Sequence, residues 1–200
     1  MTARLGVMQQ LSQNRREAFM NICYDRRMAS LSLSYPVVPH VVNLPWGVTD
    51  AQYERFGFTR HNGIDLALAE DQEIYAPFPC KVALVGVQRG GSGLFVCLVS
   101  RRTYEFPDGK YARVELTFMH LKEALVTKGT ILEEGALIAR GGRTGFSTGF
   151  HTHMAPKRVK RGLVGYRDLD RNDANNTFDP EPYWSGRYAK DAPAETHTVS

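Results

Sequence analysis

The sequence predicts a mainly β protein, with an antiparallel β-sheet or sandwich as its core, an N-terminal helix and an irregular C-terminal extension. Two observations carry this prediction. Between residues 57 and 156 short β-rich runs alternate with turn signals, and helical periodicity in that region is confined to residues 122–125. The chain has 200 residues, which suits one domain with extensions. We therefore divide it into residues 1–40 (helix and linker), 41–184 (the main domain) and 185–200 (a flexible tail poor in apolar residues).

The N-terminal segment is predicted to form a helix over residues 5–28. Its apolar residues near helical spacing are Met8, Leu11, Ala18, Phe19, Ile22 and Cys23. Tyr35-Pro36 and Val38-Pro39 end the helix and start an extended linker, because a proline disfavours helix in the residue before it. Two interpretations stay open, an accessory helix packed on the domain and a docking helix for a partner protein.

The β-rich runs of the main domain follow one another with turn signals between them. They lie at residues 73–76, 81–88, 94–100, 111–121 and 131–139. The Gly-rich residues 89–93 are predicted to form a hairpin loop, since they lack the Lys-Ser/Thr pair of a phosphate-binding loop. Pro107-Asp108-Gly109 is a strong turn signal before the fourth run.

Charge and cysteine content exclude some classes of protein. The net charge of +4 and the pI near 9.0 favour an anionic surface, such as a bacterial wall or a nucleic acid, without distinguishing the two. Cys23, Cys80 and Cys97 form no C-x-x-C pair, so neither a disulfide framework nor a thiolate zinc site is predicted, and the last two are expected to be small buried hydrophobes. No run reaches the roughly 18 apolar residues of a membrane helix. Residues 1–16 lack the features of a signal peptide, so export under its own signal is not expected.

Four of the six histidines fall into three clusters, and one aspartate is placed to join them. His151 and His153 are two residues apart, so on a β-strand both imidazoles point to the same face. His61 lies four residues before Asp65, and a loop that folds back can bring both side chains to one point. With His120, this set is large enough to give a catalytic zinc ion three protein ligands and to leave further histidines for proton transfer. Three ligands would leave the fourth coordination position of the zinc open for water.

The sequence around these clusters resembles that of the lysostaphin-like (LytM-type) zinc metallopeptidases. The pattern of that family runs F-G…H-x-G-I-D-x-A…V-Y-A-P, then Y-x-H-L, a Gly-rich loop and a closing H-x-H. The matching stretches here are Phe56-Gly57, His61-Asn62-Gly63-Ile64-Asp65-Leu66-Ala67, Ile74-Tyr75-Ala76-Pro77, Phe118-Met119-His120-Leu121, residues 142–149 and His151-Thr152-His153. Residues 178–183 are similar to the N-P-x-x-Y-L exit of the family. The resemblance covers residues 55–183 and fills every expected metal and catalytic position.

The resemblance implies a lysostaphin-like core of the duplicated hybrid motif type, and it makes residues 41–184 a zinc metallopeptidase domain. It also implies that His61, Asp65 and His153 bind one Zn²⁺, and that His120 and His151 flank the attacking water. One of these two histidines would act as base and the other would stabilise the oxyanion, and the sequence leaves the order open. In the Gly-rich loop, Gly145, Ser147 and Thr148 are predicted to contact the substrate, because glycines let the loop pass close to a bound peptide backbone.

The chain departs from the family pattern at a few positions. Thr152 stands where Leu is usual, Met154 replaces Phe and Ala155 replaces Glu. Phe118 takes the place of a common Tyr, which removes one possible hydrogen-bond donor near the cleft. Tyr53, Tyr75 and Tyr111 are the candidates to supply that donor from elsewhere. His40 and His197 lie outside the pattern and are interpreted as incidental.

The function that the resemblance implies is a zinc endopeptidase that cuts cross-links or stem peptides of bacterial peptidoglycan. Without an export signal, such an enzyme is expected to reach the wall from a bacteriophage particle, as a tail-associated lysin acting in the host wall or periplasm. The N-terminal helix and the C-terminal extension would then attach it to virion proteins. A holin-released endolysin and a non-catalytic structural or wall-binding module on the same fold are the alternatives. Nucleic-acid binding, which would rest on the basic residues of 157–161, is not expected, nor is a membrane span.

Overall fold

The computed structural model describes residues 30–162, 166–168 and 176–192. The predicted helix at residues 5–28 lies outside these residues, as do Cys23 and His197. Three short 3-10 helices occur among them, at Ala51–Phe56, Glu181–Tyr183 and Ala189–Asp191. The strands of the described residues are β1 (Leu33–Tyr35), β2 (Val42–Leu44), β3 (Ile64–Ala67), β4 (Glu73–Tyr75), β5 (Cys80–Gln88), β6 (Gly93–Ser100), β7 (Tyr104–Glu105), β8 (Tyr111–Ala124), β9 (Ile131–Leu132), β10 (Leu137–Gly141), β11 (His151–Arg161), β12 (Tyr166–Asp168) and β13 (Trp184–Tyr188).

The main sheet has the strand order β2-β3-β11-β8-β6-β5-β9, with neighbouring strands antiparallel. The central strand is β8, whose 14 residues pair with β11 on one side and with β6 on the other. Its alternate residues Ala112, Val114, Leu116 and Phe118 are buried in the hydrophobic core. This period of two explains why the sequence pattern predicts a strand here, and the prediction of a mainly antiparallel β protein is confirmed.

The predicted β-rich runs correspond to strands β4, β5, β6, β8, and β9 with β10. The Gly-rich residues 89–93 form the connection between β5 and β6, as expected for a hairpin. At the Pro107-Asp108-Gly109 turn, the Gly109 amide donates to the Phe106 carbonyl, and β7 and β8 continue the hairpin. Cys80 and Cys97 are buried free thiols, as predicted.

The prediction that residues up to 40 form a linker is wrong for the part that is described. Leu31, Leu33 and Val37 are buried in the core, and β1 pairs in parallel with β13. A three-residue strand is too short to show a period, and its partner strand lies about 150 residues further along the chain. Local sequence therefore cannot reveal that this segment forms a separate two-stranded sheet with β13.

At two further element ends the structure differs from the local sequence pattern. The tail predicted to be irregular from residue 185 instead continues β13, where Trp184 and Tyr188 both pack against the ring of Tyr35. The helical periodicity of residues 122–125 does not produce a helix, because β8 runs on to Ala124 and pairs there with β10. In both cases pairing with a distant strand overrides the weak local signal.

No helix among the described residues is long and apolar enough to span a membrane.

His40 lies in the aromatic cluster that joins the two ends of the described chain. Its ring stacks on Tyr35 at 4.0 Å between centroids and meets Trp184 edge-on at 4.8 Å. Its Nδ1 atom is buried and has no hydrogen-bond partner among the described residues. Burial lowers the pKa of His40 from 6.5 to about 4, because a charged imidazole cannot be solvated there.

We expect the free energy of unfolding of the metal-free protein to fall as the pH is lowered from 6.5 to about 4. In that window the unfolded chain binds a proton at His40 that the folded protein does not bind, so acid favours unfolding. Above this window His40 is neutral in both states and contributes no pH dependence. Thermal unfolding across this pH range should show a smaller acid-induced loss in His40→Phe, which keeps an aromatic ring. Equal pH dependence in the two proteins would contradict the prediction.

Candidate metal centre and active site

Three side chains from separate parts of the fold bring one donor atom each to the same point. His61 comes from the loop before β3, Asp65 from β3 and His153 from β11. His61 Nε2 lies 3.0 Å from His153 Nδ1 and 3.2 Å from Asp65 Oδ1, and His153 Nδ1 lies 3.0 Å from Asp65 Oδ1. All three residues are largely shielded from solvent.

The spacing of these donor atoms fits a small divalent metal. Ligands about 2.0–2.1 Å from a tetrahedral zinc ion are roughly 3.3–3.4 Å apart, close to the distances between the three atoms. Two imidazole nitrogens and one carboxylate oxygen are also a ligand set that zinc accepts, and three ligands leave a fourth position for water. The three residues therefore form a possible metal site, as the sequence predicts.

The register between β3 and β11 places Asp65 and His153 together. The two residues are directly opposite each other in this antiparallel pair, so their side chains leave the sheet on the same face. The core side chains Ile64, Leu66 and Met154 occupy the other face of the same strands.

His61 is held by backbone contacts on both sides. Its amide donates to the Val48 carbonyl, and its own carbonyl accepts from the Gly47 amide. Its Nδ1 lies 2.8 Å from the Pro45 carbonyl, which fixes the tautomer with the proton on Nδ1 and leaves the Nε2 lone pair free for the site.

Gly63 is required by the close approach of His153. A Cβ atom at this position would lie 2.5 Å from His153 Nε2 and 2.6 Å from the Met154 carbonyl oxygen. The loop between His61 and Asp65 can therefore pass over the imidazole of His153 only because residue 63 has no side chain.

His120 and His151 lie side by side next to this group. Their ring centroids are 4.9 Å apart, and His151 Nε2 lies 3.8 Å from Asp65 Oδ2. The Nδ1 atom of His120 lies 2.9 Å from the Thr144 carbonyl, and that of His151 lies 3.1 Å from the Gly149 carbonyl. When neutral, each imidazole donates from Nδ1 to its carbonyl and keeps an Nε2 lone pair. All five residues predicted for the site are thus brought together.

The charges of the site are set by burial and by the close pairs. Burial opposes ionisation of Asp65, but its close contacts with the imidazoles of His153 and His61 outweigh burial, so the pKa of Asp65 is lowered well below its usual value. Burial lowers the pKa of His120 to about 4, against the opposing effect of the Thr144 carbonyl. Burial also lowers the pKa of His153. The site therefore holds a carboxylate and, at His120 and His153, neutral imidazoles at neutral pH, which are the states that bind metal and accept protons.

The loop residues predicted to contact substrate lie next to these histidines. Ser147 donates to the Gly149 carbonyl at 2.6 Å, and its hydroxyl oxygen lies 3.3 Å from His151 Nδ1. Gly145 has a φ of +74° and packs so closely on Gly91 and Gly93 that no Cβ would fit. Thr148 is exposed. Substrate contact by these residues remains a prediction.

One of the three candidate tyrosines is close to the metal site. Tyr53 stacks on His61 with 5.4 Å between ring centroids. Tyr75 instead donates to Glu73, and Tyr111 interacts with Glu105 at an exposed position. Phe118 is fully buried in the core, so the change from the family's tyrosine at this position removes no donor from the cleft.

The contacts that sequence reasoning missed are backbone carbonyls. Those of Pro45, Thr144 and Gly149 orient His61, His120 and His151. Every residue type offers such a carbonyl, so no sequence signal could have identified them.

Comparisons with known proteins identify relatives of this chain. The sequence profile described as peptidase family M23 matches residues 59–163. An uncharacterized metalloprotease of Haemophilus influenzae is 34% identical over 93 residues, a match that covers 46% of this chain. The chain spans 18% of the length of that curated relative.

Solved structures share the fold. The catalytic domain of the antimicrobial peptidase lysostaphin from Staphylococcus simulans aligns with a TM-score of 0.55 and 20% identity, covering 72% of this chain and 91% of that one. A zinc containing peptidase from Vibrio cholerae aligns at 0.54 and 20% identity, covering 82% and 41%. The catalytic domain of the prophage-encoded M23 protein EnpA from Enterococcus faecalis aligns at 0.51 and 20% identity, covering 69% and 95%. The predicted lysostaphin-like fold is confirmed.

We expect Gly63→Ala to weaken zinc binding by roughly 10- to 100-fold, which is the typical effect of mutating a residue that packs against a metal ligand and orients it. The new methyl group would push His153 out of its place, while the three ligands themselves remain present. Competition with a chromogenic chelator measures the affinity. Gly149→Ala is the matched control, because a Cβ there meets no atom within 4 Å. Unchanged affinity in Gly63→Ala would show that His153 does not need this space.

Proposed function

The chain belongs to peptidase family M23, and from that premise we propose that it is a zinc-dependent endopeptidase that hydrolyses peptide bonds in the stems or cross-links of bacterial peptidoglycan. The observation that carries the proposal is the convergence of His61, Asp65 and His153 on one point, with His120 and His151 beside them. A peptidase needs a polarised carbonyl, an activated water and a proton carrier, and these five side chains can supply the protein part of all three. The basic charge of the chain suits an anionic wall polymer.

His61, Asp65 and His153 are assigned as the ligands of one Zn²⁺. When bound, zinc would lower the pKa of a water molecule towards about 7 and polarise the scissile carbonyl. The residues themselves are prepared for this role. Asp65 is ionised because its pKa is lowered, and the Pro45 carbonyl presents the Nε2 lone pair of His61.

His120 and His151 are assigned to proton transfer. His120 is neutral at pH 7 because burial lowers its pKa to about 4, so its Nε2 can accept a proton from water and return it to the leaving amine. The rings lie 4.9 Å apart, which lets both act on the same peptide bond. While one accepts the proton, the other can donate a hydrogen bond to the oxyanion when it carries a proton on Nε2 as well as on Nδ1.

Tyr53 is proposed as a further donor to the oxyanion. Burial and the negative charges of Asp65 and Asp50 raise its pKa, so its hydroxyl keeps its proton at neutral pH. Stacking on His61 holds the ring at the edge of the site. The phenol is thereby available as a neutral hydrogen-bond donor where the substrate carbonyl would lie.

The substrate is proposed to bind between the 3-10 helix Ala51–Phe56 and the loop formed by residues 142–150. Phe56 and Phe146 contact each other from these two segments at 5.5 Å, and both rings are partly exposed. Exposed aromatic side chains next to a catalytic group are suited to cover the apolar parts of a peptide.

For delivery, we propose that the enzyme is a bacteriophage lysin carried in the virion, with a holin-released endolysin as the alternative. Support comes from the structural relative in Enterococcus faecalis, which is described as prophage-encoded. Mass spectrometry of purified phage particles separates the two proposals, because an endolysin would be found in the host lysate and not in washed particles.

We expect chelation to abolish the digestion of purified sacculi by the protein, and zinc to restore it. His153→Ala and His120→Ala should each lower the rate by a factor on the order of 10³, since one removes a ligand and the other a proton carrier. His40→Phe is the control, because His40 lies in the aromatic cluster and outside the site. Fragment identification from Gram-positive and Gram-negative sacculi would also reveal the bond that is cut. Full activity after chelation or in either histidine variant would rule out this mechanism, and absence of stoichiometric zinc would favour a wall-binding module.

Tyr53→Phe should lower kcat by roughly 10- to 100-fold with little change in zinc affinity, because it removes a donor and leaves the ligands in place. Tyr111→Phe is the matched control, since Tyr111 is exposed and interacts with Glu105. Steady-state kinetics on solubilised muropeptides measures the effect. A Tyr53→Phe enzyme with wild-type kcat would exclude Tyr53 as an oxyanion donor.

A further inference from the structure

Thr152 lies between the two histidines of β11 but points to the opposite face of the sheet. It is fully buried, and its hydroxyl donates to the Met119 carbonyl at 3.0 Å. We propose that Thr152 is a positioning residue for His120, which it aims into the site through this hydrogen bond. The role in catalysis rests on the function proposed above.

A β-bulge places His120 in the site. Between the pairs Leu94–Leu121 and Val96–Phe118, β6 advances by two residues while β8 advances by three. The extra residue breaks the alternation of β8, so that His120 and Leu121 are both buried although they are neighbours in sequence. The backbone of His120 has a φ of +62°, which is uncommon for a residue with a side chain. Such a conformation persists only where the surroundings hold it.

The peptide group between Met119 and His120 is held at both ends. Its N–H, from His120, donates to the Ser92 carbonyl at 2.9 Å, and its C=O, from Met119, accepts from Thr152. A peptide group is planar, so two hydrogen bonds in opposite directions fix its rotation. The orientation of this plane determines where the His120 side chain points.

The strand pairing between β8 and β11 ends one residue before this carbonyl. The ladder between β8 and β11 ends at the pair Phe118–Met154, and the Thr152 hydroxyl makes the next connection between the two strands. Thr152 is itself fixed, because its residue position pairs with Leu66 of β3 on the other side. Leucine, the residue usual here in the family pattern, has no side-chain group that can donate a hydrogen bond. The departure from that pattern therefore adds an anchor for the bulge.

The test compares variants of the full-length, zinc-loaded protein. Thr152→Val keeps the shape and removes the hydroxyl, and Thr152→Ser keeps the hydroxyl. We expect Thr152→Val to lower kcat on solubilised muropeptides about tenfold or more, with KM and zinc affinity within about twofold, because a misplaced catalytic group slows the chemical step. Thr152→Ser should retain most of kcat. Wild-type kcat in Thr152→Val would overturn the proposal, as would equal losses in the Val and Ser variants.

Ser100→Ala controls for the loss of a buried hydroxyl. Ser100 is fully buried in β6, donates to the Arg102 carbonyl and accepts from the Val114 amide, at a distance from the bulge along the strand. This variant should lower the unfolding temperature and leave kcat unchanged. If Ser100→Ala loses as much kcat as Thr152→Val does, the loss follows from reduced stability and Thr152 has only a structural role.

Should Thr152→Val fail to fold, Thr152→Cys takes its place as the test variant. Cysteine retains only a weak donor, so the kcat of Thr152→Cys is expected to be below that of Thr152→Ser. Equal kcat in the Cys and Ser variants overturns the proposal.

Crystal structures of wild type and Thr152→Val separate this inference from the proposed function. If the wild type digests no wall material, the proposed function fails, and the position of His120 still tests the role of Thr152. The ring centroids of His120 and His151 are 4.9 Å apart in the wild-type structure. We expect this separation to increase in the variant, because the imidazole of His120 moves away from His151. An unmoved ring would overturn the positioning role whatever the activity.

Discussion

The cross-strand pairing of Asp65 with His153 is the constraint on which the rest of the site depends. Because side chains alternate along a strand, a slip of one residue would turn both groups away from the cleft. The slip is prevented on the other face, where Ile64, Leu66 and Met154 are fully buried in the core. A slip would expose these apolar side chains and bury a carboxylate, so the hydrophobic effect fixes the register that the metal site needs. Core and site are thus two faces of the same two strands.

The fold holds one histidine of the site in a strained conformation, and the rigid sheet makes this possible. A left-handed backbone at a residue such as His120 costs on the order of 1–3 kcal/mol. The core residues Phe118 and Leu121 are fully buried on either side of it and anchor the strand before and after the bulge. Because the bulge inserts one residue, both apolar side chains can reach the core while the imidazole between them reaches the cleft. A regular strand could not satisfy these three positions together.

Periodic and closely spaced features could be predicted from the sequence, and features that depend on distant partners could not. The spacing of His151 and His153 predicts their common face, since a strand has a period of two whatever surrounds it. Local sequence predicts a linker at residues 31–40 and a tail at residues 185–188. The first segment instead contributes to the core, and both take part in the strand pairing between the two ends of the described chain. Residues 122–125 have helical spacing but continue the central strand, because pairing with β10 decides their conformation. The bulge at His120 has no signal in one sequence, since Met-His-Leu fits a regular strand equally well.

Hydrogen bonding separates the roles of residues that the sequence leaves equivalent. Three histidines approach a backbone carbonyl through Nδ1 and direct Nε2 elsewhere, namely His61 at Pro45, His120 at Thr144 and His151 at Gly149. His153 is the exception, because its Nδ1 is the atom that faces Asp65. His151 and His153 stand on one strand face, but their contacts differ. His153 Nδ1 lies 3.0 Å from both Asp65 Oδ1 and His61 Nε2, whereas His151 Nε2 lies 3.8 Å from Asp65 Oδ2. The carboxylate lies opposite only the second of them, so a single cross-strand position makes His153 suited to bind metal, while His151 is the residue proposed for proton transfer.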